Sequence, residues 1–243
     1  MLKGWISQQL RKSLSEDEKK KMIKMTKEAL ENPEEVLKCY EKKKLKWWEI
    51  LKLKGHNLPI PYRNLENPEK LKGKKWKLYL KESKKFIDEY SKEKKGFILV
   101  YSGKYGTGKT LMSAYAIAWA DYKKVSSYYI RFTDLVRSFW GKFDELSEDD
   151  FKKVYDLLVI DEFQELNVER EEYRRAMEII KSRFDNGKST IIITNDYVDD
   201  VTTILQPQVI DRLNACGAFF VFDWQSFRDV QTSKKAKNQT ERR

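Results

Sequence analysis

The chain has 243 residues, 40% of them hydrophobic, enough for one large domain or for a main domain with a small appendage. Its 49 Lys and Arg against 38 Asp and Glu leave a formal charge of +11, and the excess sits at the two ends: residues 1–95 hold 27 basic and 15 acidic side chains, while the last ten hold 5 and 1. Two cysteines and one histidine exclude a disulfide framework and a zinc site, and no apolar run is long enough to span a bilayer, so a soluble cytoplasmic chain is expected. The basic ends point to contact with nucleic acid or an acidic protein, although a lysine-rich surface is also ordinary in heat-adapted proteins.

In chain order, Ser15–Glu18 forms a capping box and Asn32-Pro33 opens a second helix. Val36, Tyr40, Trp47, Ile50 and Leu51 then recur at near-helical spacing among lysines, up to Lys54 and the stop at Gly55. This aromatic stripe either closes a helical hairpin or is left for a partner protein. Residues 56–68, HNLPIPYRNLENP, hold three of the five prolines and show no periodicity, which marks a boundary. The lone His56 reads as a plain linker residue. The expected organisation is a small all-helical N-terminal domain over 1–58, a main domain over 59–233 and a disordered basic tail over 234–243. A helix is expected over about 70–92, with Trp76, Leu80, Phe86, Ile87 and Tyr90 on one side. From there short β-rich runs alternate with helical stretches, the pattern of an α/β domain whose parallel sheet is covered by helices on both faces.

The loop Gly103-Lys104-Tyr105-Gly106-Thr107-Gly108-Lys109-Thr110 follows the strand-like run GFILVY and opens the helical run beginning at Leu111, and it fits G-x-x-x-x-G-K-[ST]. Glycines let successive backbone N–H groups turn toward one point, and the helix N-terminus adds its positive dipole. Such a loop binds the phosphates of ATP or ADP, with Lys109 on the β and γ phosphates and the Thr110 hydroxyl on Mg²⁺. Downstream, LLVIDE at 157–162 is an apolar strand ending in two carboxylates. Asp161 is expected to meet the metal through its water shell and Glu162 to polarise an attacking water. STIIITN places Thr194 and Asn195 at another strand end, where they are expected to position the same water. Arg212 follows a loop and is poorly placed for the chain's own phosphate site, which makes it a candidate to act on a neighbouring subunit. Arg228 falls just past the last strand.

Taken together, SGKYGTGKT, LLVIDE, TND and VIDRLNACGAFFVFDWQSFR resemble the AAA+ ATPases of the DnaC and DnaI bacterial helicase-loader family, close kin of the IstB transposition helpers and the DnaA initiators. The resemblance covers roughly residues 62–230. It implies a P-loop AAA+ fold, an arginine finger at Arg212, a sensor-2 arginine at Arg228, sensor 1 at Asn195, and Walker B acids at Asp161 and Glu162. It further implies a replicative hexameric helicase of the DnaB type as partner, single-stranded DNA as ligand, and self-assembly into a spiral. The family's extra helix between the P-loop helix and Walker B is matched by TDLVRSFWGKF, where Arg137, Lys142 and Phe143 are expected to meet DNA. The family's N-terminal zinc cysteines have no equivalent here, and little sequence follows Arg228, so no C-terminal lid is expected. The same scaffold admits an IstB-like transposition helper, and a P-loop small-molecule kinase is a more distant alternative.

Overall fold

In a computed structural model, residues 46–49, 51, 56–71, 73–140, 146–163, 170–196, 201 and 205–227 are described. The helix expected from Ser15 and the 234–243 tail lie outside these residues; of the helix expected up to Lys54 only residues 46–49 and 51 are described, and Trp47–Glu49 forms a 3₁₀ turn there. The chain divides into two compact units, 1–46 and 47–243, and the second contains the sheet. Five apolar runs form that sheet: β1 (Ile98–Gly103), β2 (Ser127–Arg131), β3 (Leu157–Asp161), β4 (Ser189–Ile193) and β5 (Gly217–Phe222). Every pairing is parallel and the order is β2-β3-β4-β1-β5. Every residue of β1, β3 and β4 is buried. That burial explains why these strands read as continuous apolar runs and not as alternating ones.

Because successive strand side chains point to opposite faces, the strands feed two cores. Leu99, Tyr101, Tyr129, Val159, Ile191 and Phe222 face α1 (Lys74–Glu93) and α2 (Lys109–Tyr122). Ile98, Val100, Ile130, Leu158, Ile160 and Ile192 face α3 (Phe132–Ser138), α4 (Glu148–Lys153), α5 (Arg170–Asp185) and α6 (Pro207–Cys216). The helix expected over 70–92 is α1, and it buries Trp76, Leu80, Ile87 and Tyr90 as its spacing required. It starts later than expected because Pro68–Lys70 closes a separate 3₁₀ turn, capped by the Asn67 side chain on the Glu69 N–H.

The segment before α1 departs from the reading as a linker. Leu58 and Leu65 are buried in the main core, and Tyr115 donates from its hydroxyl to the Glu66 carbonyl at 2.7 Å. His56 lies within hydrogen-bond distance of Asp121 through Nε2 at 2.9 Å and of the Ser127 carbonyl through Nδ1 at 3.2 Å. The Asn57 amide donates to the Tyr129 carbonyl at 3.1 Å, so this stretch is bound along the exposed side of β2. Upstream, Leu51 is fully buried and Trp47 meets Tyr115 and Trp119 of α2 edge-on, at 5.9 and 5.2 Å between ring centroids. Lys84 of α1 covers both Trp47 and Trp119, a cation–π arrangement, and burial lowers its pKa. Part of the aromatic stripe therefore serves this body, and the boundary expected at 58/59 falls inside the second unit. Aperiodic, proline-rich sequence hid that packing because its two buried leucines are seven positions apart with only the short 3₁₀ turn Ile60–Tyr62 between them.

Arg183 on α5 ties the strand-entry side of the sheet together. It is fully buried and donates to the carbonyls of Phe151, Tyr155, Asp156 and Ser189 and to the Thr190 hydroxyl. Burial pulls its proton affinity down, opposed by the neighbouring Tyr90 and the Asp156 carboxylate. Truncation would leave a cavity and several carbonyls without donors. Arg183→Ala is expected to lower unfolding free energy by roughly 3–5 kcal/mol, read as a lower urea midpoint at unchanged slope.

Candidate functional site

The five parallel strands deliver their C-terminal ends to one edge of the sheet, and the connections after β1 and β4 leave toward opposite faces: α2 covers one and α6 the other. A crevice at such a switch point is where ligands of open α/β sheets bind. The loop from Gly103 to Gly108 occupies it. Gly103 has φ +135, and a Cβ there would sit 2.3 Å from the Phe222 carbonyl oxygen, so only glycine lets β1 end beside β5. Gly108, at φ +92, lets the chain enter α2 at Lys109.

The loop is held from two sides. Within it, the Thr107 hydroxyl donates to the Lys104 carbonyl at 2.8 Å, and the Lys109 ammonium donates to the carbonyls of Gly103 and Lys104. From beyond β5, the Trp224 indole N–H donates to the Thr107 carbonyl at 3.0 Å, and the Phe227 backbone N–H donates to the Gly106 carbonyl at 3.0 Å. Burial lowers the Lys109 pKa to about 8, partly offset by the Asp161 carboxylate. Additional negative charge beside Lys109 would favour its protonated form. Lys104 and Tyr105 are exposed on the loop's outer side, and Leu111 packs into the core shared with α1.

Asp161, the last residue of β3, is buried and accepts from Thr110 Oγ1 at 2.8 Å and from the Tyr129 hydroxyl at 2.7 Å, both on Oδ2. Its Oδ1 accepts the Glu162 backbone N–H at 2.7 Å. Burial, reinforced by Asp161, raises the Tyr129 pKa far beyond the usual phenol range, so the hydroxyl stays a donor. Glu162 has φ +56 and an exposed side chain, which turns the second carboxylate out of the sheet while the first stays in. Asn195, half-buried, lies just past β4, between the ends of β1 and β3. Its neighbour Thr194 is not available in the same way, because its hydroxyl donates to the Asp196 carboxylate at 2.5 Å.

Of the remaining expected residues, Arg212 and Arg137 are not brought to this edge. Arg212 donates from Nε and Nη2 to Asp185 at 3.0 and 2.7 Å and from Nη1 to the Gln208 carbonyl at 2.9 Å. Asp185 ends α5, on the side of the sheet where the strands begin. Arg137 is exposed on α3 and pairs with Asp134 at 3.3 Å. α3 itself closes at Ser138, with Leu135 buried, Phe139 half-buried beneath Arg175 and Trp140 exposed. Lys142, Phe143 and Arg228 lie outside the described residues.

Sequence reasoning missed Tyr129, Trp224 and Phe227. Tyr129 could have been found from strand periodicity: it lies two residues before Arg131, which pairs with Asp161, and so shares a face with the neighbouring strand's end. Trp224 and Phe227 act through contacts more than a hundred residues distant, and nothing local signals that.

Residues 99–215 match the family described as "ATPase family associated with various cellular activities (AAA)". The chain is 27% identical over 163 residues to the replicative helicase loader DnaC of Escherichia coli (strain K12), covering 64% of this chain and 65% of that one. It is 28% identical over 157 residues to the same-named protein of Buchnera aphidicola, covering 61% and 63%. The chain thus spans just under two thirds of the length of these curated relatives. The crystal structure of the DnaC helicase loader superposes with a TM-score of 0.57 at 23% identity, covering 67% of this chain and 99% of that one. AMPPCP-bound DnaA from Aquifex aeolicus gives a TM-score of 0.52 at 18% identity, covering 72% and 57%. These likenesses bear out the expected fold class, a P-loop AAA+ parallel sheet with helices, and the resemblance to the helicase-loader family.

The glycine geometry generates a direct test. Gly103→Ala forces a side chain into the Phe222 carbonyl at a backbone angle that only glycine adopts readily. It is expected to destabilise the protein by roughly 3 kcal/mol, seen as a lower thermal midpoint.

Proposed function

We propose that this chain is an ATP-dependent loader of a replicative hexameric helicase of the DnaB type, in which ATP binding and hydrolysis act as an assembly switch. The observation that carries this reading is the contact of Thr110 with Asp161 beside a glycine loop opening α2, in a chain whose curated relatives are named replicative helicase loaders. A hydroxyl and a carboxylate 2.8 Å apart form an oxygen donor set suited to a hard divalent cation. The loop, held at positive φ at Gly103, Gly106 and Gly108 and opening directly into the N-terminus of α2, suits phosphate. Mg²⁺, when bound, neutralises charge on the phosphates. Thr110 and Asp161 hold it, and Lys109 leaves its two carbonyls for phosphate oxygens. Gly103 to Leu111 surround the nucleotide with backbone N–H groups.

Glu162, turned out at the end of β3, polarises the attacking water, and Asn195 orients it from the end of β4. Arg212 releases Asp185 and reaches the nucleotide of an adjoining copy, so that ATP links subunits in a spiral and loss of the γ-phosphate unlinks them. Arg228 senses the chain's own nucleotide. Arg137, with Lys142 and Phe143, meets single-stranded DNA, and residues 1–58 grip the helicase. The protein works in the cytoplasm. No helix among the described residues is long and apolar enough to cross a membrane.

Three variants test the assignment. Lys109→Ala is expected to abolish ATP binding in equilibrium titration. Glu162→Gln keeps ATP affinity but loses turnover by about a hundredfold or more. Arg212→Ala binds ATP normally as a monomer yet loses roughly a thousandfold of the hydrolysis stimulated by single-stranded DNA. Full-length protein is expected to retain a DnaB-type hexamer in an ATP-dependent pull-down. Capture of a transposase with preference for duplex DNA would favour the transposition helper, and a phosphorylated metabolite the kinase.

A further inference from the structure

Trp76, in the first turn of α1, is 2% exposed, and its indole N–H has no hydrogen-bond partner among the described residues. A buried donor left unpaired is costly, and such groups commonly face something that binds. The indole nitrogen lies 3.6 Å from where a Gly108 side chain would begin, and the Phe227 ring lies 2.9 Å from the same point. Tyr115 closes the other side, edge-on to Trp76 at 5.5 Å between centroids. The unpaired donor thus stands at the shoulder of the glycine loop, between aromatic rings.

We propose that the Trp76 indole N–H, with the Phe227 ring beside it, receives the nucleoside end of the bound nucleotide; this rests on the nucleotide reading above. Phosphate oxygens are already served by the loop N–H groups, Lys109 and Thr110. A donor-only indole next to aromatic faces suits an oxygen or ring nitrogen of the ribose or base, and the rings suit the flat base. Trp76 is then a specificity residue, and α1 takes part in reading the ligand.

The test uses the full chain with Trp76→Phe, which removes the donor and keeps an aromatic ring. Affinity for ADP with Mg²⁺ is expected to fall about tenfold, while affinity for inorganic pyrophosphate is unchanged. Without nucleotide the thermal midpoint should hold or rise, since a donor without a partner has been removed. In the wild-type chain labelled with ¹⁵N, the indole resonance missing from the variant's spectrum should move on adding ADP and stay in place with pyrophosphate. Unchanged ADP affinity, equal losses for ADP and pyrophosphate, or an unmoved indole resonance would each overturn the assignment. Should the variant fold poorly, direct triple-resonance assignment of the wild-type Trp76 indole supplies the same readout. Wild-type protein that binds neither compound would instead defeat the nucleotide reading itself.

Discussion

Thr110, in the first turn of the helix that follows β1, and Asp161, the last residue of β3, meet across the end of β4, which lies between those two strands, and the organisation of this edge depends on that contact. β1, β3 and β4 are buried on both faces, so polar groups have no place along them and collect where the strands stop. Asp161 is the first acid after four buried apolar residues, and its carboxylate is held by three donors: a hydroxyl from the loop helix, a hydroxyl from β2 and the next backbone N–H. A carboxylate so fixed presents one orientation to whatever approaches the loop. The turn at Glu162 places a second carboxylate beside it with the opposite exposure.

Much of this edge was legible from sequence because its chemistry resides in the backbone. Glycines at 103, 106 and 108, a lysine, a threonine and a strand-terminal acid pair are local statements, and the strand runs on either side fixed where they had to stand. What escaped was long-range: Trp224 and Phe227 reach the loop through hydrogen bonds to Thr107 and Gly106, and Tyr129 reaches Asp161 from the neighbouring strand. An aromatic residue in an apolar run carries no mark of the polar atom its hydroxyl or indole N–H will find. The segment 56–68 was misread for a related reason. Prolines and absent periodicity argue for a connector, yet two leucines, a histidine and an asparagine are enough to bind it along β2.

Arg183 and Asp161 divide the labour between the two edges of the sheet. At the strand entries a buried guanidinium satisfies carbonyls from α4, from the turn that leads into β3 and from β4, and locks the scaffold. At the strand exits the hydrogen bonds instead join side chains and loops, Thr110 and Tyr129 on Asp161 and Trp224 on the glycine loop, and so shape the crevice.

Trp47 sits against Tyr115 and Trp119, two and three turns along the helix whose opening residues are Lys109 and Thr110. Most of that helix is buried, and it packs against the sheet on one side and α1 on the other. Trp47 and the glycine turn are therefore seated on one and the same buried support, so the aromatic contact and the turn share a single helix as their foundation.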